Sequence, residues 1–333
     1  MFNVLPGDPA QMMMGQNEDS EQLAKVKAKY GFDKPILTQY AYYINDLSPL
    51  SFHSNSKEDY TFLEGNKYSA VKLFTIGNTI IVLKLPYLRE SFTKQGKKVT
   101  QVLSETLPNT FVLAVSAIII AIILGVLLGI VSALYKDQWL DKTIQIFSTL
   151  GMSVPSFFSA ILFAWLFGYV LHDYTNLEMT GSLYELDDFG EAMHIKWKNL
   201  ILPAIVLGIR PLAVVVQLMR NSLLEVFNQD YIRTARAKGL SEFQIVKRHA
   251  VKNALNPVVT AISGWFASML AGAVFVEFIF GWNGLGKEIV NALNTLDLPV
   301  IMGAVLVIAT LFVMINILVD LIYVWLDPKV KLQ

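Results

Sequence analysis

Residues 108–134, PNTFVLAVSAIIIAIILGVLLGIVSAL, run for 27 positions without a charged side chain. A helix needs about 20 mainly apolar residues to cross the hydrocarbon of a bilayer. Four further stretches repeat the pattern, at 143–171, 199–219, 257–280 and 299–326. Pro155, in SVPSFF, is expected to kink or break the second of them. Composition agrees, since 16% of the 333 residues are charged, where a soluble domain carries about 25%. Five visible spans make the fold class an all-α polytopic membrane protein.

Charge between the spans orients them. The segment after the third span carries Arg220, Arg233, Arg236, Lys238, Lys247, Arg248 and Lys252 against Glu225, Asp230 and Glu242. The segment after the second is acidic, with Asp173, Glu178, Glu185, Asp187, Asp188 and Glu191 against Lys196 and Lys198. The excess of cations on cytoplasmic loops places the first inside and the second outside. Strict alternation then puts the short loop at 135–142 and the C-terminal tail inside, and residues 1–105 outside. That polar region has no basic and apolar leader to export it, so a further spanning helix is expected upstream of Met1. Within it, 19–30 reads as a short helix ended by Gly31. Residues 50–70 read as a polar, turn-rich insertion. The stretch 71–88 is too short and too interrupted, by Lys72, Asn78 and Lys84, to span, and reads as strand.

Chemistry of other kinds finds little support. The chain has no cysteine, which excludes disulfides and thiol nucleophiles. Its four histidines, His53, His172, His194 and His249, lack ligand-like spacing. The basic and acidic residues balance at 27 each, giving no sign of a nucleic-acid partner. GWNGLGKE at 281–288 matches the phosphate-loop spacing through Gly281, Gly286 and Lys287. Glu288 stands where a hydroxyl would hold magnesium, and the segment follows a spanning helix, so no nucleotide is expected there.

The segment NSLLEVFNQDYIRTARAKGLSEFQIVKRHAVKNALNP carries the most information. Residues 231–238 favour helix, and Gly239 follows as a residue able to take positive φ. Ser241 and Gln244 make a capping box for a second helix, on which Phe243, Val246 and Ala250 fall on one face by spacing. Two short cationic helices at an angle suit a docking surface; an ordinary basic loop is the plain alternative. Gly125 and Gly129 form a G-x-x-x-G pair for close helix packing. Arg210, Glu277 and Asp320 are ionisable groups in or near spans, candidates for pairing within the bundle or for lining a pathway.

The loop DYIRTARAKGL at 230–240, with His249–Ala250 after it, resembles the "EAA" loop of permease subunits of the dipeptide/oligopeptide/nickel branch of ABC importers. PGDP at Pro6–Pro9, GFDKP at Gly31–Pro35, SVPSFF at Ser153–Phe158 and the 277–286 stretch match in the same order, as does the terminal NILVDLIYVWLDPKV at Asn316–Val330. The resemblance implies a type I ABC importer permease fold with six spans. It divides the chain into an extracytoplasmic region at 1–105 and a transmembrane permease domain at 106–333, with the coupling loop at about 221–256. It assigns ATPase coupling to Tyr231, Arg233, Ala235, Arg236, Ala237, Lys238, Gly239, Leu240, Ser241 and Phe243. Implied partners are a second homologous permease, two cytoplasmic ATPase subunits that hold ATP and magnesium, an extracytoplasmic substrate-binding protein and membrane lipid. This chain itself would bind no cofactor, carry out no covalent chemistry and sit in a bacterial cytoplasmic membrane. Peptides are the expected substrate, with nickel or another small solute as the alternative. A proton- or ion-coupled transporter built on Glu277, Arg210 or Asp320 is the rival from another class, but no inverted repeat supports it.

Overall fold

In the N-terminal region, short amphipathic segments separated by Gly and Pro give two helices and a small sheet. The computed structural model describes residue 10 and residues 20–56, 59–65, 67–94, 96–187 and 190–326. PGDP at Pro6–Pro9 and the last residues of the terminal motif lie outside these. Helix α1 (Ser20–Tyr30) stops at Gly31, whose φ of +70° is left-handed. Helix α2 (Ile36–Leu47) opens after Pro35. Strands β1 (Leu50–Ser54), β2 (Ala70–Ile76) and β3 (Thr79–Lys84) form an antiparallel sheet in the order β1-β3-β2. The 71–88 stretch, expected to be strand, contains two strands joined as a hairpin: Gly77, with φ +58°, and Asn78 make a two-residue loop between Ile76 and Thr79.

This unit is organised around a buried carboxylate. Asp46 is 1% exposed and accepts from Tyr68 Oη (2.9 Å), Tyr60 Oη (3.2 Å) and Arg89 Nε (3.0 Å), while its backbone carbonyl accepts from Lys84 Nζ. A carboxylate is tolerated out of water only when paired and bonded in this way. Burial, and then the charge of Asp46, raises both phenols above the ordinary tyrosine range, which keeps them protonated as donors. The unit takes in residues up to Glu105 together with Asn291–Val305. Asp297 fixes the second piece to the first, accepting from Thr93 Oγ1 (2.8 Å), the amides of Phe92 and Thr93 (3.2 Å each) and Ser91 Oγ.

The membrane unit comprises Thr106–Val290 and the chain from Leu306. Helix α3 (Val99–Leu134) enters it and ends before a turn that carries Lys136 and Asp137. Helices α4 (Trp139–Ser153) and α5 (Ser156–Trp165) are separated by Val154–Pro155, and α5 runs on through a π-turn at Leu166–Val170. The axes bend by 111° there, so Pro155 breaks the span rather than kinking it. A short helix, α6 (His172–Thr175), and a two-stranded hairpin, β4 (Tyr184–Leu186) with β5 (Met193–Ile195), lead to α7 (Lys198–Phe227). Four short pieces follow: α8 (Asp230–Ala237), α9 (Glu242–Ile245), a π-turn at Val246–Ala250 and α10 (Val251–Ala254). Then come α11 (Asn256–Gly272), α12 (Val274–Phe280), α13 (Leu285–Asn294) and α14 (Leu298–Leu326).

Among the described residues, three continuous helices are long and apolar enough to cross a membrane: α3, α7 and α14; the bent α4–α5 pair makes a fourth if it is one span. The fourth apolar stretch, 257–280, is divided at Ala273 into helices of 17 and 7 residues. The long helices meet where side chains vanish. A Cβ on Gly125 would lie 2.7 Å from Val215 Cγ1, one on Gly129 2.6 Å from Met219 Cβ, and one on Gly208 2.8 Å from the Ala117 carbonyl. In bilayers helix association rests on such close packing, because lipid tails compete for every apolar contact. The paired positions rise together along both chains (117 with 208, 125 with 215, 129 with 219), so α3 and α7 run in the same direction.

Candidate coupling loop and membrane path

The loop after α7 has a buried underside and an exposed top. Ile232 and Ala235 on α8, Ile245 on α9, and Ala250 and Ala254 beyond it are all buried, in one cluster with Val215, Met219, Leu223 and Val226 of α7. Helix α8 closes at Lys238, and Gly239 turns the chain with φ +78°. Its amide donates to the Arg236 carbonyl (2.9 Å), and the amide of the half-buried Leu240 donates to that of Ala235 (3.3 Å). A Cβ at Gly239 would meet nothing within 4 Å, so glycine is required here by conformation and not by space. Both halves of the capping box are made: Ser241 Oγ accepts from the Gln244 amide, and Gln244 Oε1 accepts from the Ser241 amide. Arg236 clamps Glu242 through Nε (2.9 Å) and Nη2 (3.3 Å), across the turn. Asn253 Nδ2 donates to Tyr231 Oη (2.9 Å), tying α8 to α10.

Tyr231, Arg233, Arg236, Ala237 and Lys238 remain exposed, and Phe243 is 74% exposed. One expectation needs correction. Phe243 does not share a face with Val246 and Ala250, which are buried. Ile245 takes the inward position, and the π-turn that follows packs more than 3.6 residues into its turn, which shifts the phase. Phe243 is left projecting outward, with Lys247 Nζ 6.0 Å from its ring centre.

Sequence reading missed the clamp at the root of this loop. Asp141, near the start of α4 and 2% exposed, receives Arg220 of α7 through Nε (2.7 Å) and Nη2 (2.6 Å). Ser132 Oγ (2.5 Å) and the Asp137 amide (2.9 Å) complete its shell. Two-pronged guanidinium–carboxylate pairing of this kind fixes geometry as well as energy. It joins α3, α4 and α7 where α7 leads into the loop. The partners stand 79 residues apart in sequence, and no local spacing links them.

The intramembrane candidates have different fates. Glu277 is fully buried, and its Oε2 accepts from the amides of Gly286 (2.6 Å) and Lys287 (3.2 Å). A Cβ on Gly286 would lie 2.9 Å from that oxygen. Gly284 and Gly286 of GWNGLGKE leave room for a carboxylate from the same chain at the first turn of α13, where a phosphate loop would admit phosphate. Glu277 is thus held by backbone amides of its own chain, with Oε1 buried and without a hydrogen-bond partner among the described residues. Trp282 and Asn109 lock the same turn, the indole Nε1 donating to the Asn109 carbonyl (3.0 Å) and Asn109 Nδ2 to that of Asn283 (2.7 Å). Arg210 is exposed and lines a cavity between α5, α7 and α11. Asp320 lies in α14 and its side chain falls outside the described residues. Among the described residues no cluster of His, Asp or Glu has a metal-binding arrangement.

The family model described as "Binding-protein-dependent transport system inner membrane component" matches residues 125–332, and the model for that component's N-terminal part matches residues 1–55. The chain belongs to this family. The dipeptide transport system permease protein DppB of Alkalihalophilus pseudofirmus is 33% identical, over 99% of this chain and 92% of its own length. The di/tripeptide transport system permease protein DppB of Pseudomonas aeruginosa is 32% identical, over 100% and 92%. The fold is also that of a solved MetNI methionine ABC transporter in inward-facing conformations, with a TM-score of 0.53 at 16% identity over 67% of this chain and 94% of the other. Members of the family are membrane components of transport systems, and the type I importer permease fold expected from the sequence is the fold found.

Proposed function

We propose that this permease moves short peptides across the bacterial cytoplasmic membrane, driven by ATP that partner subunits hydrolyse. A second, similar permease completes the path. Two ATPases dock on the paired loops, and an extracytoplasmic binding protein delivers the solute. The observation that carries this reading is the loop itself: an exposed surface of Tyr231, Arg233, Lys238 and Phe243 stands on a base rooted in the helix bundle. A push on the top must move α7, since the underside of α8 through α10 is packed into its end. Rigid-body motion of packed elements is an ordinary switching mode. Tyr231, Arg233, Arg236, Ala237, Lys238 and Phe243 make the contact; Ala235, Leu240, Gly239 and Ser241 hold its shape. The loop lies in the cytoplasm and residues 1–105 outside, in keeping with the shared direction of α3 and α7 and the cations that follow each. Peptide as the cargo follows the relatives' names. Proteoliposomes holding the assembled transporter and its binding protein test it: labelled dialanine should accumulate with internal-facing ATP and ignore a proton gradient. Uptake driven by the gradient alone, or of nickel and not dialanine, would overturn it.

A further inference from the structure

Arg210 stands in the middle of α7, inside a membrane-spanning helix, where a charge is kept only if it faces water, a partner or a passing ligand. Among the described residues no carboxylate lies within ion-pair distance of it. Its side chain is exposed, and among the described residues its guanidinium makes one long contact, Nη2 to the Val154 carbonyl at 3.5 Å, at the edge of hydrogen-bond range. Arg220, ten residues further along the same helix, shows the alternative, with two short bonds to a buried carboxylate.

What Arg210 faces is a cavity of about 90 Å³, whose wall also includes Ser156, Ser159, Trp265 and Ser268. This is room for roughly three waters, or for one small polar group. Ser156 is the first residue of α5, a ten-residue helix with no side-chain cap. The amides of Phe158 and Ser159 return to the Pro155 carbonyl (3.1 Å each), so those of Ser156 and Phe157 come before the helical ladder begins. The break at Val154–Pro155 therefore leaves Ser156, at the positive end of a helix, and Arg210 lining one cavity. Both favour an anion, and the serine hydroxyls supply further donors.

We propose that Arg210, with the first turn of α5, is a carboxylate-binding station in the membrane path that holds the free C-terminus of a peptide in passage. This rests on the peptide reading above. A planar guanidinium matches a carboxylate in two-pronged fashion. One such contact, without a deep pocket, also lets the solute leave, as any transit site must.

Dialanine and dialaninamide, which differ only in the C-terminal charge, are the probes. Their binding is measured by saturation-transfer NMR on the assembled transporter in nanodiscs without binding protein, so that only the permease is read. Wild type should bind dialanine roughly tenfold more tightly than the amide, the worth of a charge-assisted contact. Arg210→Gln should bring the ratio to about one, while Arg210→Lys, which keeps a point charge, should retain most of it. A ratio compared within one preparation is unaffected by partial loss of folded protein. Equal binding of the two probes by wild type, no binding of either, or a ratio that survives Arg210→Gln would overturn the station; so would a ratio lost equally in Arg210→Lys. Equal binding is also the result if a carboxylate of the second permease already occupies Arg210. ATP-driven uptake of dialanine by wild type separates the two readings. Uptake with equal probe binding sinks the station alone, and absence of uptake sinks the peptide reading with it.

Discussion

Two glycine turns in the membrane unit answer to opposite constraints. Gly239 sits in open space with φ +78°, and nothing would touch a side chain there. Gly286 has ordinary φ, yet its Cβ would fall 2.5 Å from Val274 Cα and 2.9 Å from Glu277 Oε2. The first glycine serves a surface that must present itself to something else. The second serves a core that has no room. Exposed shape is where binding concentrates on a rigid scaffold, whereas buried fit is about stability. Substitutions at the two turns should therefore fail in different ways.

The largest effect is expected at the buried turn. Gly286→Val forces a branched side chain against the backbone of α12 and into the carboxylate, and small-to-large changes in a closed core cost about 1–3 kcal/mol or more. With the Glu277 cap displaced as well, the protein level in isolated membranes should fall severely. Near-normal levels would show that this turn yields more than its contacts suggest. Asp141→Ala comes next. It leaves Arg220, 18% exposed, without its counter-charge, and breaking a buried pair costs about 3–5 kcal/mol, less the part that water at the guanidinium recovers. Thermal unfolding in detergent should shift downward, and Asp141→Asn, which keeps the Ser132 contact, should lose less. Equal losses in the two would mean that charge is not what Arg220 requires.

Gly239→Val sharpens the comparison most. A β-branched residue held at positive φ costs on the order of 1–3 kcal/mol locally, in a loop whose α8 and α9 ends are exposed. Insertion should survive, and ATP-driven uptake should be abolished because the second helix is re-aimed. Exposed Gln138→Ala, on the turn before α4, should change neither. If Gly239→Val transports normally or fails to insert, the two turns do not differ in kind.

What could be read in advance follows the range of the signal. The apolar stretches, the Pro155 break, the strand character within 71–88, the Gly239 turn and the Ser241 capping box are written in runs of ten residues or fewer, or in hydropathy alone. The clamps are not. Asp46 with Tyr68, Asp141 with Arg220 and Asp297 with Thr93 join residues 22, 79 and 204 positions apart. A lone Asp in a polar segment looks the same whether it is solvated or buried. Phe243 failed for a subtler reason: spacing of 3 and 4 assumes 3.6 residues per turn, and the π-turn at Val246–Ala250 does not keep it.

That failure yields the smallest expected effect on the protein and an informative one on its work. At 74% exposure Phe243 contributes almost nothing to the fold, so Phe243→Ala should leave the unfolding free energy within about half a kcal/mol of unchanged. An exposed aromatic flanked by Lys247 on a rigid base is, however, the kind of anchor on which binding energy concentrates. Its truncation should weaken recovery of the ATPase subunits with the permease and lower peptide-stimulated ATP hydrolysis by roughly tenfold, the counterpart of a loss of about 1.4 kcal/mol. Ile245→Ala provides the contrast: it empties a buried site under the same short helix, costs about 2–5 kcal/mol and should lower thermal stability together with coupling. If Phe243→Ala destabilises the permease, its ring is buried after all and the original grouping with Val246 and Ala250 stands. If it is stable and couples fully, the docking surface lies elsewhere on the loop, and Tyr231 with the cations of α8 becomes the place to look.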